Sequence, residues 1–266
     1  MACVNPIHAW RRPEPGARLV FNYQPPPYEH LRVGCGKCVG CRVDQARDWS
    51  VRAYHEALLH EKNSFLTLTY DEDHLPKDGK IHKTHLQKFF RAMRDSGTPL
   101  RYIACGEYGE RTHRPHYHAI VFGQDFRYDA EWLDDQLYKS LSVNKAWGRG
   151  MVTLAPVSMG AICYVCGYVK KKEGNTDTFS LCSKGIGKEW LRRFHNDITR
   201  TGTVTIEGRE YPVPRRYFDW ALDEFEHVKA SRLEIAKQRQ HLQTDYHLRS
   251  KAVNYKARSP GQGEKL

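Results

Sequence analysis

The sequence predicts an α+β fold in which helices pack on one face of a largely antiparallel sheet. Three observations lead there. "SFLTLTY" (64–70) alternates β-branched and aromatic residues as a strand does. "LRYIACGEYG" (100–109) and "HYHAIVFG" (116–123) read as two more strands, joined by the polar linker "ERTHRP" into a hairpin. Between them "KTHLQKFFRAMRD" (83–95) sets Leu86, Phe89, Phe90 and Met93 on one helical face. A hairpin and a crossover helix within one stretch are the mixture expected of an α+β chain.

The remaining elements follow in order. The first thirty-odd residues, with "PEPG" and "QPPPY", read as an irregular Pro-rich arm. "DQARDWSVRAYHEALLH" (44–60) has helical spacing and no breaker. The strand over 64–70 stops at the turn-like "DEDHLPKDG", and the helix over 83–95 at Gly97 and Pro99. A helix is expected over "DAEWLDDQLYKSLS" (129–142), a strand in "GMVTLAPV" (150–157) and a helix over "SMGAICYVCGYVKKK" (158–172). Beyond these come a short helix in "KGIGKEWLRRFHNDI", a hairpin around Glu207 and Gly208, and one long helix over "RRYFDWALDEFEHVKASRLEIAKQRQHLQ". The tail "NYKARSPGQGEKL" is polar and is expected to be disordered. This divides the chain into an arm (1–45), a central domain (46–175) and a mainly helical extension (176–266).

Among 266 residues, 42 Lys and Arg stand against 31 Asp and Glu, a formal charge of +11. That excess favours a polyanionic partner, most simply nucleic acid. No stretch approaches the ~20 apolar residues of a spanning helix, and the N-terminus lacks a signal-peptide core, so a non-secreted chain in a reducing compartment is expected. Its eight cysteines are then better explained by metal binding or burial than by disulfides.

The chemistry is concentrated in three places. In "RPHYHAIVFG", His116 and His118 lie two apart on a strand and project from one face, where they could share a metal ion. Pairing across "ERTHRP" brings Glu107 of "CGEYGE" beside them, with Glu110 a competing carboxylate in the turn. Two imidazoles and a carboxylate with open positions suit Mg²⁺ or Mn²⁺ holding a phosphate, and Zn²⁺ also fits. In "YVCGYVKKK", Tyr164, Tyr168 and Lys172 share one helix face, with Lys171 a substitute cation. A phenol there can attack phosphorus and conserve the ester energy for rejoining, with a cation to draw off charge. Each feature alone has a structural explanation: solvated histidines, tyrosines packed at a sheet edge, lysines complementing a helix dipole.

Together, and in this order, "FLTLTY", "RPHYHAIVFG" and "YVCGYVKKK" resemble the three motifs of the HUH endonucleases that initiate rolling-circle replication. Tyr117 stands where that family has a bulky hydrophobic residue. "CGKCVGCR", "FLTLTYDEDHLP", "CGEYGE" and "SLCSKGIGKEW" further resemble replication initiation proteins of microviruses, especially gokushoviruses, over about Cys35 to Trp190. Cys166 and Gly167 depart from the pattern, and Gly167 weakens a helix by about 1 kcal/mol relative to Ala.

The resemblance implies an HUH fold with a central five-stranded, mainly antiparallel sheet of split βαβ, ferredoxin- or RRM-like type. It implies a metal-dependent nick in viral origin DNA, a phosphotyrosine intermediate and strand joining by the second tyrosine. Host helicase and polymerase would be the partners, in the host bacterial cytoplasm. The order of the tyrosines stays open, Tyr168 being nearer the lysines. Alternatives are a relaxase- or transposase-type HUH enzyme and a non-enzymatic, zinc-stabilised nucleic-acid-binding protein.

Cys35, Cys38 and Cys41 form a separate C-x2-C-x2-C cluster, a candidate for structural Zn²⁺ with Cys3, His8 or His30 as fourth ligand. Gln45 stands where a ferredoxin-like run would need its fourth cysteine. "RRYFDW", "WLRRFH" and "KARS" interleave basic and aromatic residues as single-strand binders do, or as helix faces with core anchors do.

Overall fold

The computed structural model describes residues 3–14, 17–168, 178–221, 224–238 and 244–257. Two compact units are distinct: Met1–Gln45 together with His227–Leu266, and Ala46–Glu226.

The larger unit is built on one sheet. Its strands are β3 (Asn63–Thr69), β4 (Arg101–Tyr108), β5 (Pro115–Phe122), β6 (Ala130–Trp132), β7 (Tyr138–Ser140), β8 (Val152–Ala155) and β9 (Phe179–Cys182), in spatial order β6-β7-β8-β3-β5-β4-β9. Every neighbouring pair is antiparallel. Helix α2 (Lys83–Asp95) connects β3 to β4 with β5 inserted between them, and α3 (Leu141–Trp147) lies on the path from β5 to β8 with β3 inserted. Two interleaved split βαβ units of this kind are the ferredoxin-like arrangement expected of the chain. The five strands of four or more residues are the expected sheet, and β6 and β7, three residues each, extend one edge.

Helices cover both faces of this sheet, not one. Leu66, Leu68, Ala104, Tyr117, Ala119 and Val121 pack against Leu86, Phe89, Phe90 and Met93 of α2 and Val143 and Trp147 of α3. On the opposite face Ile103, Cys105, Ile120 and Phe122 pack against Ala53 of α1 (Val39–Ala57) and Ile162, Val165 and Cys166 of α4 (Met159–Tyr168). The reason is visible in β4 and β5, whose near-continuous apolar runs bury both sides, whereas β3 alternates. A further core joins Val51 to Leu191 and Ile198 of α5 (Lys188–Thr201), Val204 and Ile206 of β10 (Thr203–Ile206), Val213, and Tyr217 of α6 (Arg215–Trp220). Strand β11 (Arg209–Pro212) completes the expected hairpin with β10.

Four other expectations are corrected. The helix expected over 129–142 is instead the β6–β7 hairpin followed by α3. Asp134 Oδ1 accepts from the amides of Gln136 (2.7 Å) and Leu137 (2.6 Å), a local turn that competes with the helix. Ser140 then caps α3 by accepting from the Val143 amide. The N-terminal arm is not irregular throughout: β1 (Ile7–Arg11) pairs with β2 (Glu29–Val33), and the prolines occupy their connection. The long C-terminal helix is broken into α6 and α7 (Glu226–Gln238). The chain leaves helical dihedrals at Ala221 (φ −137°, ψ 59°), and Phe225 is buried in the core with Tyr217. Finally, α8 (Asp245–Ala257) takes in the start of the tail expected to be disordered, whose residues 258–266 lie outside the described ones.

Gly150, just before β8, has φ +141°, and a Cβ there would come within 2.5 Å of the Asp71 amide nitrogen and the Thr69 carbonyl oxygen. Both obstacles are backbone, so the neighbour cannot rotate away. Gly150→Ala is expected to destabilise the unit by about 3 kcal/mol, a fall in Tm of roughly 6–12 °C by circular dichroism. An unchanged Tm would show that the β3–β8 edge yields freely.

Candidate active site

The register of the central hairpin places Glu107 opposite His116 and Cys105 opposite His118. Glu107, His116 and His118 therefore project from one face, and each offers a ligand atom within 4.8 Å of the others. Glu107 Oε1 lies 2.9 Å from His116 Nε2 and 2.8 Å from His118 Nε2. Glu110, the competing carboxylate, is exposed in the turn and takes no part in this group.

The ring nitrogens on the far side are held in place. His116 Nδ1 lies 3.2 Å from the Arg114 carbonyl, which can only accept, so Nδ1 carries the hydrogen. His118 Nδ1 lies 3.1 Å from Thr67 Oγ1 on β3, and its ring stacks on Phe65 at 5.5 Å and 7°. Both Nε2 atoms are thus presented toward the carboxylate. Such outer partners orient metal-binding imidazoles.

Electrostatics make the same point. Burial tends to raise the Glu107 pKa, but the two histidines and the Tyr164 hydroxyl outweigh it and hold the carboxyl down at about 2. Because His116 Nδ1 is already protonated, the 2.9 Å gap between its Nε2 and an ionised oxygen must contain a proton or a cation. In the absence of a cation the proton is taken up: burial works against it, yet Glu107 raises the His116 pKa. His118 Nε2 is close to Oε1 but not aligned as a hydrogen bond. It and Glu107 Oε2 are buried and lack a hydrogen-bond partner among the described residues. Two orphaned, convergent ligand atoms beside two oriented imidazoles fit a divalent cation.

Helix α4 brings the nucleophile. Ile162, Val165 and Cys166 seat it on the sheet, which turns Tyr164, 42% exposed, toward the cluster. Its hydroxyl donates to Glu107 Oε1 at 2.8 Å, and its ring meets His118 edge-on at 5.0 Å and 85°. Tyr168 ends α4 one helical turn later, its side chain lying outside the described residues, as do Lys171 and Lys172 altogether. The helix runs through Gly167 without a break.

Thr67, Phe65 and the Arg114 carbonyl are parts of the site that sequence reasoning missed. Thr67 and Phe65 sit in the strand "FLTLTY", two residues apart, but only the β3–β5 register, Thr67 opposite His118, shows what they support. Thr67→Val, which keeps the shape and removes the hydroxyl, is expected to weaken Mn²⁺ binding about 10- to 100-fold in calorimetric titration. An unchanged affinity would remove Thr67 from the site.

The cysteines form a second candidate metal group: Cys3, Cys35, Cys38 and Cys41 converge, with Sγ atoms within 4.8 Å of one another. Of the basic and aromatic stretches, Tyr217 is fully buried and Trp190 stacks on His55 at 3.4 Å, so these aromatics are core anchors. Arg192 and Arg193 pair with Glu189.

Comparison with known proteins bears on this geometry. The family model for replication-associated proteins of the ORF2 type matches residues 63–173, the stretch that carries the cluster and Tyr164. The replication-associated protein ORF2 of Spiroplasma virus 4 is 30% identical over 238 residues, 77% of this chain and 74% of that protein. The chain belongs to the phage replication-associated protein family. Within that family, the replication-associated protein VP4 of Bdellovibrio phage phiMH2K is 33% identical over 211 residues, 70% of this chain and 66% of the relative. The replication-associated protein ORF4 of Chlamydia phage 1 is 28% identical over 209 residues, 70% of this chain and 52% of the relative. The matches thus span from about half to about three quarters of these relatives' lengths. The resemblance to microvirus replication proteins drawn from the motifs is borne out. No solved structure matches the chain. Among the described residues, no helix is long and apolar enough to cross a membrane.

Proposed function

We propose that this family member initiates and terminates rolling-circle replication by nicking one strand of phage origin DNA and rejoining it through a phosphotyrosine. The observation that carries the reading is the Tyr164 hydroxyl, 2.8 Å from Glu107 Oε1 and beside both imidazoles. That is a nucleophile placed at a cation-binding cluster. The relatives' names, replication-associated proteins of phages, favour an initiator over a relaxase or transposase.

Glu107, His116 and His118 would hold Mg²⁺ or Mn²⁺, which when bound offsets the charge on the phosphate oxygens and on the leaving oxygen. Tyr164 Oη attacks the phosphorus, forming a P–O bond to the tyrosine as the P–O3′ bond breaks. The phenol gives up its proton and the 3′ oxygen gains one, leaving a 5′-phosphotyrosine and a 3′ hydroxyl for a host polymerase. No water is consumed and the ester is retained, so the reverse step rejoins a strand. Tyr168 is assigned the second cleavage, and Lys172, with Lys171 as substitute, steadies the phosphate. The charge of +11 suits the DNA partner. Host helicase and polymerase in the bacterial cytoplasm complete the proposal.

A labelled single-stranded origin fragment incubated with the protein and Mn²⁺ or Mg²⁺, then denatured, is expected to run as a covalent adduct that needs the metal. DNA that is bound yet uncut with either ion would overturn the enzyme in favour of a non-enzymatic nucleic-acid-binding protein.

A further inference from the structure

We propose that Cys3, Cys35, Cys38 and Cys41 bind a single Zn²⁺ as a tetrathiolate site that folds the N-terminal strand pair against the start of α1. This goes beyond the strand-transfer reading and does not depend on it.

The first argument is spacing. Cys3 Sγ lies 3.7 Å from both Cys35 Sγ and Cys38 Sγ. Four thiolates at a bond length of ~2.3 Å around one ion form a tetrahedron whose edges are about 3.8 Å. The sulfurs therefore already stand near the corners of a zinc site. A disulfide would need about 2.05 Å between sulfurs, and all four cysteines are free. An iron-sulfur cluster distributes its thiolates over more than one iron and holds them farther apart than the 4.8 Å limit met here. Soft sulfur ligands in tetrahedral array select Zn²⁺ over Mg²⁺ or Mn²⁺, so the two metal groups of this chain differ in kind.

The second argument is the surrounding amides. The Cys35 amide points at Cys3 Sγ (3.4 Å), the Cys38 amide at Cys35 Sγ (3.3 Å), and the Val4 amide at Cys38 Sγ (3.4 Å). Backbone donors aimed at sulfur stabilise the charged thiolate that a metal requires. The knuckle that aims them turns at Gly36, φ +76°, and Gln45, in place of a further cysteine, donates to the Gly36 carbonyl at 3.2 Å.

The third argument decides the fourth ligand. His8 and His30 face each other across the β1–β2 pair with their ring nitrogens 2.7 Å apart, and so satisfy one another. Cys3 is 2% exposed and sits within the sulfur group. An ion there ties residue 3 to residues 35–41, a closure whose binding energy becomes folding energy for a segment with a small core of its own.

The test uses the full chain in a His116→Ala, His118→Ala background, so that any zinc counted belongs to the cysteines. One zinc per chain is expected. Alkylation followed by peptide mapping should find these four thiols modified at least 10-fold more slowly with zinc than after chelation. Cys163 and Cys182, exposed and outside the group, should react equally in both states. Co²⁺ in place of zinc should give the absorption of a tetrahedral all-thiolate site. Cys3→Ser should lose the metal, and Cys182→Ser should keep it. Equal alkylation of the four thiols with and without zinc, zinc retained by Cys3→Ser, or bound iron with sulfide would each overturn the proposal. None of these readouts involves DNA, so failure here is distinct from failure of the nicking reaction.

Discussion

The Tyr164→Phe, Tyr168→Phe variant is expected to form no covalent adduct with origin DNA, a loss of more than about 10³-fold, while still binding the DNA. Each substitution removes only a hydroxyl. Tyr164 is 42% exposed and its ring contacts with His118 and Phe65 survive as phenylalanine, so the fold should persist at a cost of about 1–2 kcal/mol for the lost bond to Glu107. Mn²⁺ affinity should be little changed, because the phenol is not among the three ligands. Tyr164→Phe alone should slow the first cleavage by about 10²-fold or more, since only Tyr164 is seen at the cluster. Single-turnover gels measure all three variants. An adduct of normal yield in the double variant would place the nucleophile elsewhere.

Glu107→Gln is expected to lower metal-dependent cleavage by about 10²- to 10³-fold, because it removes the one negative charge to which both imidazoles and the phenol are directed. Its effect on the metal-free protein has a definite pH signature. The carboxyl, lowered from 4.5 to about 2, contributes stability that is present above pH 4.5 and lost as the pH falls through about 2. His116, raised above 6.5, contributes stability that is present below pH 6.5 and lost as the pH rises through its folded value. The pair therefore stabilises the metal-free chain most between pH 4.5 and 6.5. Tm measured against pH in chelator should show that maximum in the wild type and a flatter profile in Glu107→Gln. Identical profiles would mean that the Glu107–His116 contact carries no net energy.

The parts of this molecule that were legible in the sequence are those with short-range causes. Helix α2 begins and ends where its spacing, Gly97 and Pro99 place it, and the β4–β5 hairpin follows from two apolar runs about a polar linker. Because the linker is short, pairing was constrained enough to bring Glu107 beside His116. What required the fold was long-range. Thr67 supports His118 across 51 residues, and no local pattern records that. The second helical layer was hidden because α1 and α4 cover strands whose apolar runs fit burial on one side or both. The hairpin over 130–140 was masked by its own turn residues, Asp134 and Asp135, which interrupt a segment of otherwise helical composition. Cys3 lies 32 residues before Cys35, too far for spacing to choose it over His8 or His30.

The seating of α4 on the sheet sets a constraint on the exchange between two nucleophiles. With Ile162, Val165 and Cys166 all buried within 1% exposure, the helix cannot slide along its axis without emptying three filled positions in the core. Residues 164 and 168 are four apart, about 6 Å along a helix. When the second tyrosine takes over, the travel falls to the other molecule: the phosphate must step along a stationary helix by one turn. The protein then acts as a fixed ruler, and the strand moves past it.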